Sequence, residues 1–326
     1  MASVTFYVID HAKLLFKVRQ GIMGYLFSGG KMEDLAWKIL LSLSGSLFGT
    51  FSLFILVSIV VESWMTGAPA FPKDLLTPSS DSPFEKVAFP SSDSITLRGW
   101  LFPPPKPNGP VIIYAHGSGR DLREGLPLVP LFQKAGFGLL LFSYRNHGFS
   151  DRTSNGHTYG LKESEDLDAA VQFLKSRGYK SIALMGYSLG AASAIMSAAR
   201  NPEVKAVVAI APFASAFDLW FSNSPPFIPR PLLYVTLWLT EKRKGIKLVA
   251  ISPEKAMKYI APRPILLIQG TKDSYIPPAH TRRLMDAAGA GARLLLLDGA
   301  DHKSVFLPGV IKKQELIIGF LREALH

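Results

Sequence analysis

Ser188, Asp273 and His302 have the side chains that nucleophilic acyl transfer requires. Ser188 is the centre of Gly186-Tyr187-Ser188-Leu189-Gly190, a G-x-S-x-G pattern that follows an apolar run. Asp273 and His302 each lie a few residues after another apolar run, and the chain order is Ser, Asp, His. In this arrangement a serine attacks a carbonyl carbon, a histidine accepts the serine proton, and an aspartate orients the imidazole. The sequence therefore predicts Ser188 as nucleophile, His302 as general base and Asp273 as orienting carboxylate.

The G-x-S-x-G pattern needs a particular backbone to expose a nucleophile. A sharp turn from strand to helix would lift the Ser188 hydroxyl, and Gly186 and Gly190 would let strand and helix approach without a clash between Cβ atoms. The small residues 191–194 favour a closely packed helix whose first N–H groups face an anion. Taken alone, the pattern also fits an ordinary Gly-rich turn. The ordered acid and base favour the nucleophile.

Two other carboxylates are alternatives for the orienting acid. Asp298 and Asp301 are nearer to His302 in sequence than Asp273 is. A residue so close in sequence usually points away from the imidazole, whereas a residue after the seventh predicted strand can reach it across the fold. We therefore favour Asp273 and expect Asp301 to make local hydrogen bonds.

Three further histidines and the absence of cysteine bear on the chemistry. His116 is expected to hold the loop at Gly117 by hydrogen bonds rather than to act as a second base. His147 and His157 have no assigned role, and their spacing without a carboxylate partner does not make a metal site. The chain has no cysteine, which excludes disulfides, thiolate catalysis and cysteine-ligated metals. We expect neither a metal nor an organic cofactor.

A sheet must bring the candidate residues together, and short apolar runs alternating with helical patterns predict one. Strands are predicted at residues 84–89, 95–102, 111–115, 138–142, 181–185, 206–210, 265–269 and 293–297. The first two form an antiparallel lead-in, and the others predict a mostly parallel sheet. Open α/β sheets bind ligands at the carboxyl ends of their strands, which is where the three candidate residues lie.

From about residue 84 to residue 326 the sequence resembles an α/β-hydrolase domain, and as a whole it resembles the single-span, membrane-anchored members of that superfamily. The resemblance rests first on the pentapeptide around Ser188 and on the ordered Asp273 and His302. It implies the α/β-hydrolase fold, in which helices flank a mostly parallel eight-stranded sheet. It also implies a cap insertion over the site, at about residues 214–252.

Two loops carry further parts of the resemblance. His116-Gly117-Ser118-Gly119 follows the third predicted strand. The resemblance implies an oxyanion hole made by the backbone N–H of Leu189, which follows the nucleophile, and that of Ser118. The stretch 144–150 resembles the family's loop of arginine, glycine and serine, but Asn146 stands where glycine is commoner. We expect this departure to affect the loop and not the chemistry.

The predicted cap is rich in aromatic residues and contains a basic turn. The aromatic residues are Trp220, Phe221, Phe227, Tyr234 and Trp238. The basic turn is Glu241-Lys242-Arg243-Lys244. An apolar lining suits an acyl chain, while the alternative for each aromatic side chain is to pack the cap onto the main domain. Our hypothesis is that the cap contacts an anionic membrane surface and delivers a lipid-like ester to Ser188.

The uncharged run from Ile39 to Val61 predicts a transmembrane helix that acts as a signal anchor. The chain is 48% hydrophobic, with a mean hydropathy of +0.20. A buried core helix usually keeps a polar face, and this run has none. A signal peptide cleaved near residues 68–70 is the other alternative, but the run is long and lies behind a long leader. Residues 1–38 are predicted as an amphipathic leader and residues 62–83 as a linker.

The distribution of basic residues predicts the orientation of this span. Within about 20 residues after the span the only basic residue is Lys73. The basic residues before it are Lys13, Lys17, Arg19, Lys31 and Lys38. The positive-inside rule then places the leader in the cytoplasm and the catalytic domain on the other side of the membrane.

The net charge of +11 does not by itself identify a partner. The basic residues are scattered and no RNP-like or zinc-ligand pattern occurs, so we expect an anionic membrane surface rather than a nucleic acid. Three functions remain open: an esterase or lipase acting on a small-molecule or lipid-like ester, a peptidase or amidase with the same triad, and a non-catalytic, membrane-tethered binding protein. An intact triad without a preceding propeller or other large accessory domain favours the first.

Overall fold

The structure is a computed structural model that describes residues 30–66, 82–224, 228–306 and 311–325. By its internal contacts the chain divides into two units, Met1–Val60 and Val61–His326. The predicted leader up to residue 29 and the predicted linker from residue 67 to 81 lie outside the described residues, as does Phe227 of the predicted cap.

The one described helix of the amino-terminal region, α1, runs from Gly30 to Thr66. Its segment Trp37–Ile59 has 23 residues and a mean hydropathy of 2.0, and none of the most apolar window is buried against protein. At 1.5 Å per residue this segment is about 34 Å long, enough to cross the hydrocarbon core of a bilayer. Length and composition make α1 a candidate membrane anchor. The helix includes residues 62–66, which were expected to belong to the linker, and the predicted orientation stays a prediction.

A single eight-stranded sheet forms the centre of the second unit, in the strand order β1-β2-β4-β3-β5-β6-β7-β8. The strands are β1 Glu85–Pro90, β2 Thr96–Phe102, β3 Val111–Ala115, β4 Gly138–Ser143, β5 Ile182–Tyr187, β6 Val204–Ile210, β7 Ile265–Gly270 and β8 Ala292–Leu297. The pairs β1–β2 and β2–β4 are antiparallel, and all other neighbours in the sheet are parallel. All eight predicted strands are present, with ends within two residues of the expected ones.

Helices cover both faces of the sheet, which explains why the central strands are mostly apolar. The helices are α2 Val129–Lys134, α3 Leu161–Ser176, α4 Leu189–Arg200, α5 Ala216–Asn223, α6 Arg230–Lys244, α7 Pro253–Met257, α8 Pro278–Ala287 and α9 Ile311–Leu325, with 3-10 turns at Leu122–Leu128 and Leu248–Ala250. One face packs against α3, α4, α7 and α8, and the other packs against α2, α9 and the first 3-10 turn. The chain therefore has the three-layer α/β-hydrolase architecture that the sequence predicts.

A third, smaller apolar cluster joins the segment predicted as the cap to the edge of the sheet. Helices α5 and α6 contribute Trp220, Leu233 and Leu237, which pack with Leu189 at the start of α4 and with Ile276 after β7. These contacts place α5 directly beside the carboxyl ends of the central strands, where the candidate residues lie.

Candidate active site

The carboxyl ends of three parallel strands bring Ser188, Asp273 and His302 together. Ser188 directly follows β5, Asp273 follows β7, and His302 follows β8. The Oγ of Ser188 lies 3.1 Å from Nε2 of His302. On the other side of the ring, Nδ1 of His302 lies 2.7 Å from Oδ2 of Asp273. The three side chains thus form a continuous line of hydrogen bonds from carboxylate to hydroxyl.

The turn at Ser188 is strained, and its neighbours leave no room for it to relax. The φ angle of Ser188 is 54° and its ψ angle is −116°, a sparsely populated backbone conformation that costs on the order of 1–3 kcal/mol. A Cβ on Gly186 would lie 2.3 Å from the carbonyl oxygen of Gly190, and one on Gly190 would lie 2.0 Å from that of Ala115. The Ser188 N–H donates to the carbonyl of Ile210 at 2.8 Å. Close packing of β5, α4 and β3 therefore holds the serine in this turn, where its side chain lies at the wall of the cavity.

Asp273 is oriented by hydrogen bonds from its own loop. Its Oδ1 accepts the backbone N–H groups of Tyr275 at 3.0 Å and of Ile276 at 2.8 Å, and its Oδ2 also accepts Nε2–H of Gln269 at 3.2 Å. An ionised carboxylate only accepts, so Nδ1 of His302 must carry the proton that this pair shares. That tautomer leaves Nε2 as an acceptor facing the Ser188 hydroxyl.

The two alternative carboxylates make other hydrogen bonds. Oδ1 of Asp301 accepts the N–H of Ser304 at 2.7 Å, and Oδ1 of Asp298 accepts the hydroxyl of Thr271 at 3.0 Å. Asp301 is therefore engaged in a turn of its own loop and Asp298 in a contact with the loop after β7, and the structure brings Asp273 to the imidazole.

Tyr187, which the sequence analysis left without a role, fixes the loop that carries the imidazole. Its hydroxyl donates to the carbonyl oxygen of His302 at 2.6 Å, and the two ring centroids are 5.2 Å apart. Burial raises the pKa of Tyr187, so its hydroxyl stays protonated and remains a donor. Tyr275 packs against His302 with ring centroids 5.0 Å apart. The only sequence signal for this role is the aromatic residue directly before the serine.

The loop after β3 lies beside the serine. Ser118 and Leu189, whose backbone N–H groups the resemblance proposes as oxyanion donors, line the same cavity as Ser188. His116 is buried: its Nε2 accepts the N–H of Tyr144 at 3.3 Å, and its Nδ1 lies 2.9 Å from the carbonyl oxygen of Gly117. Desolvation holds the pKa of His116 well below its usual value, so the ring is neutral and Nδ1–H donates to that carbonyl.

His157 lines the cavity, a position that the spacing of residues in the sequence does not predict. Its Nδ1 accepts the N–H of Tyr159 at 3.4 Å, and its Nε2 lies 3.5 Å from Oγ of Ser118. His147 lies behind it, with Nδ1 2.9 Å from the carbonyl of Arg145, and burial lowers the pKa of His147. These positions are set by contacts between distant loops, which local spacing does not reveal.

Asn146 takes over the backbone role of the glycine it replaces. Its φ angle is 64°, in the left-handed region that asparagine tolerates better than most residues. Its Nδ2–H group donates to Oγ1 of Thr153 at 2.9 Å and to the carbonyl of Gly156 at 2.7 Å, while its Oδ1 accepts the N–H of Thr153 at 2.6 Å. The departure from glycine thus organises the loop that leads to His157.

The cavity around Ser188 has a volume of ≈ 530 Å³, including the space open to solvent at its mouth. Its lining residues are Ser118, His157, Tyr159, Ser188, Leu189, Phe213, Leu219, Trp220, Asn223 and Tyr275. Most of these side chains are apolar or aromatic. Helix α5 supplies Leu219, Trp220 and Asn223, and Nδ2–H of Asn223 also donates to the carbonyl of Tyr275 at 3.0 Å. The site can accept an acyl chain with one reactive polar end.

The position of Lys244 contradicts the prediction that the whole basic turn is exposed. We predicted that Lys244 would lie with Lys242 and Arg243 at a membrane surface. Lys244 is instead buried, and its Nζ donates to the carbonyl oxygen of Asn155. Only Lys242 and Arg243 of that turn are exposed. The end of α6 is therefore tied to the main domain through Lys244.

Comparison with families of known proteins finds two matching models. Residues 110–242 match a model described as alpha/beta hydrolase fold, and residues 247–324 match one described as TAP-like protein. The two matches together run from just before β3 to the end of α9.

The curated relatives with functional names include a polyketide transferase and a thiohydrolase. The polyketide transferase ATR5 of Stachybotrys chlorohalonatus is 36% identical over 266 residues, covering 67% of this chain and 89% of that protein. The thiohydrolase apmlB of Arthrinium phaeospermum is 39% identical over 132 residues, which span 39% of this chain and only 43% of that protein.

Two solved structures superpose on most of the chain. An esterase of Pyrococcus furiosus has a TM-score of 0.65 at 21% identity, covering 80% of this chain and 99% of the other. The α/β hydrolase GrgF from Penicillium has a TM-score of 0.61 at 22% identity, covering 74% and 99% respectively. At these identities the superpositions show a shared fold.

Proposed function

The chain belongs to the α/β-hydrolase family, and from this premise we propose that it is a serine hydrolase that cleaves carboxylic esters through an acyl-enzyme. The observation that carries the proposal is the unbroken hydrogen-bonded line from Asp273 through His302 to Ser188. A serine hydroxyl becomes an effective nucleophile when a base within hydrogen-bond reach takes its proton. The strained turn at Ser188 and the apolar cavity beside it are consistent with that use.

The reaction follows from the position of each group. Oγ of Ser188 attacks the ester carbonyl carbon, and its proton passes to Nε2 of His302 while Asp273 stabilises the imidazolium. The same Nε2–H then protonates the leaving alcohol, and the C–O bond of the ester breaks to leave Ser188 acylated. Water attacks the acyl-enzyme by the reverse sequence and releases the acid. The backbone N–H groups of Ser118 and Leu189 would hold the oxyanion of each tetrahedral intermediate.

The nature of the acyl group is argued from the cavity and from the relatives. Leu189, Phe213, Leu219 and Trp220 give the space beside Ser188 an apolar wall. Two relatives are named a thiohydrolase and a polyketide transferase, and neither name refers to a peptide. We therefore include thioesters of apolar acyl chains among the substrates, and an amidase or peptidase remains the competing function.

A panel of substrates tests this proposal on the full chain in detergent micelles or nanodiscs. Nitrophenyl esters, thioesters with the same acyl groups, and aminoacyl amides would be compared by kcat/KM. We expect esters and thioesters of medium or long acyl chains to be turned over, and amides to be at least roughly 100-fold slower, because the cavity offers an apolar wall and not a site for a charged amino terminus. Faster turnover of the amides would favour the peptidase alternative.

The outer face of the cap suggests where such substrates come from. Tyr234 and Trp238 on α6 are 54% and 55% exposed. Tyr234 also packs against Phe217 and Phe221 of α5, with ring centroids 6.3 and 5.3 Å apart. Helix α5 therefore has aromatic contacts with α6 on one side and lines the cavity with Trp220 on another. Aromatic side chains beside basic ones are typical of a membrane interface.

We propose that this aromatic face binds an anionic bilayer and that the substrate is a lipid-like ester. The exposed basic side chains around it are Lys242, Arg243 and Lys247, the last of which is 72% exposed. Each basic side chain near an anionic surface contributes about 1 kcal/mol to binding. The candidate anchor α1 is a separate feature that would keep the chain at the same membrane.

Replacing Lys242, Arg243 and Lys247 together by serine is expected to raise KM for a long-chain ester in anionic vesicles by roughly 10-fold or more, because three favourable charges are lost. Turnover of a short, water-soluble ester should stay within about 2-fold, since these side chains are outside the cavity. Both rates would be measured with the full chain in nanodiscs of anionic or zwitterionic lipid.

A matched control replaces three exposed lysines elsewhere, Lys86, Lys106 and Lys180, by serine. The control changes the net charge by the same amount, so an equal rise in KM would attribute the effect to general charge and not to the cap. An unchanged KM in the first variant would contradict membrane binding by the cap.

A further inference from the structure

A buried carboxylate lies directly beneath the loop that carries Ser118. Oε2 of Glu124 accepts the backbone N–H of Gly117 at 2.8 Å and the hydroxyl of Tyr114 at 3.0 Å. The side chain of Glu124 is only 9% exposed. Burying a carboxylate is costly unless hydrogen bonds compensate for the lost solvation, so this arrangement needs a reason.

The two peptide units that flank Gly117 give that reason. His116 donates from Nδ1 to the carbonyl oxygen of Gly117 at 2.9 Å, and Glu124 accepts the N–H of the same glycine. In a planar trans peptide, the N–H of the next residue points opposite to the carbonyl. Fixing the Gly117 carbonyl toward His116 therefore turns the Ser118 N–H in the opposite direction, and fixing the Gly117 N–H sets the rotation of the peptide unit before it.

Gly117 lies in a tightly packed space, so the rotation of its two peptide units must be restricted. A Cβ on Gly117 would lie 3.0 Å from Cδ1 of Tyr187, the residue that holds the His302 loop. The glycine has the conformational freedom to rotate its peptide units, so external hydrogen bonds must restrict it. The carboxylate of Glu124 supplies one of the two bonds that do so.

We propose that Glu124 is a positioning residue for the oxyanion hole: by accepting the Gly117 N–H, it holds the Ser118 N–H toward the place where charge develops on the substrate oxygen. The proposal rests on the proposed function, since an oxyanion forms only if Ser188 attacks a carbonyl. Glu124 touches neither substrate nor the reacting atoms and acts through the loop alone.

The charge of Glu124 makes this device sensitive to pH. Burial raises the pKa of Glu124 above its ordinary value, and the charge of Asp121 raises it further. The hydrogen bonds from Gly117 and Tyr114 and the charge of Arg120 lower this pKa, but by less than burial raises it. The other titratable groups that face it are Tyr144 and Tyr187, whose pKa values are also raised, so both stay neutral. A protonated carboxyl is a weaker hydrogen-bond acceptor than a carboxylate, and its O–H group needs an acceptor of its own. We therefore expect kcat to fall, by no more than about 3-fold, as the pH drops through the raised pKa of Glu124, because the neutral side chain still has an acceptor oxygen.

Two substitutions of Glu124 test the proposal. Glu124→Ala removes the acceptor and is expected to lower kcat by roughly 10- to 100-fold, less than the loss of a whole oxyanion donor, with KM within about 3-fold. Glu124→Gln keeps an acceptor oxygen for the Gly117 N–H. It should retain kcat within about 3-fold of the wild type. In its pH profile, the part of the decrease of kcat at low pH (the acidic limb) that comes from protonation of Glu124 should be absent.

Tyr114→Phe is the matched control, because it removes the other donor to Glu124 and leaves the bond to Gly117 in place. We expect its kcat to stay within about 3-fold of the wild type. Near-UV circular dichroism of each variant establishes that it is folded before kcat is compared. An alanine variant with unchanged kcat, a glutamine variant as impaired as alanine, or an unaltered acidic limb in the glutamine variant would each overturn the proposal.

The rate of Ser188 labelling by a fluorophosphonate separates this proposal from the function on which it rests. A wild-type chain that does not label overturns the proposed function and this role with it. A wild-type chain that labels, together with a folded Glu124→Ala variant that labels and turns over equally fast, overturns only the role of Glu124.

Discussion

Replacing Ser188 by alanine is expected to abolish both ester turnover and fluorophosphonate labelling, with a loss of kcat of roughly 10⁵- to 10⁶-fold. Oγ of Ser188 is the atom that would form the covalent bond, and it is the hydroxyl placed 3.1 Å from Nε2 of His302. The substitution removes that atom without adding a side chain to the tight turn. Turnover of a medium-chain nitrophenyl ester and in-gel fluorescence of the labelled full chain would measure the two effects.

The control for this prediction is Ser176→Ala, at an exposed serine near the end of α3 whose hydroxyl donates only to the carbonyl of Phe173 in the structure. It should label and turn over like the wild type. If the folded wild-type chain did not react with the probe, the non-catalytic alternative would be preferred, because a serine with this geometry should be activated.

Replacing Asp273 by asparagine is expected to lower kcat by roughly 10⁴-fold. Oδ2 of the carboxylate accepts a hydrogen bond from Nδ1–H of His302 at 2.7 Å, and its Oδ1 accepts hydrogen bonds from two backbone N–H groups. An asparagine that keeps its oxygen on those backbone groups must turn its NH₂ toward Nδ1 of His302, which favours the tautomer with the proton on Nε2. That tautomer cannot accept the proton of Ser188.

Asp301→Asn and Asp298→Asn are the matched controls, because these are the carboxylates that sequence distance would favour. Each should keep kcat within about 3-fold of the wild type, since their oxygens accept hydrogen bonds from Ser304 and Thr271 rather than from the imidazole. A large loss in either control, with a small one in Asp273→Asn, would reassign the orienting acid. All three variants are compared by kcat at a pH near neutrality.

The sheet was predictable from sequence because its central strands are buried on both faces and are mostly apolar. The runs that predicted β3 to β7 are apolar for this reason, and turn residues bound them. The turn at Ser188 was predictable because Gly186 and Gly190 lie where a Cβ atom would collide with neighbouring backbone atoms. Such features depend on a few neighbouring residues, and so they leave a local pattern.

The parts of the candidate site that the sequence did not predict depend on long-range contacts. Tyr187 and His302 are 115 positions apart, and Lys244 and Asn155 are 89 apart. The lysine occurs in a basic run that predicts a solvated turn, yet the packing of α6 buries it. Glu124 occurs among charged residues of a surface loop and turns inward to Gly117. Local composition cannot distinguish these residues from exposed neighbours of the same type.

The hydrogen bond from Tyr187 to the carbonyl of His302 bears on how this chain could be redesigned. The G-x-S-x-G pattern leaves its second position open, so a variant library designed from the pattern alone would randomise it. Here that position joins the serine turn to the histidine loop. Libraries that vary residue 187 would change the position of the imidazole, whereas libraries confined to Leu219 and Trp220 would change the wall of the cavity and leave the contacts of the His302 loop in place.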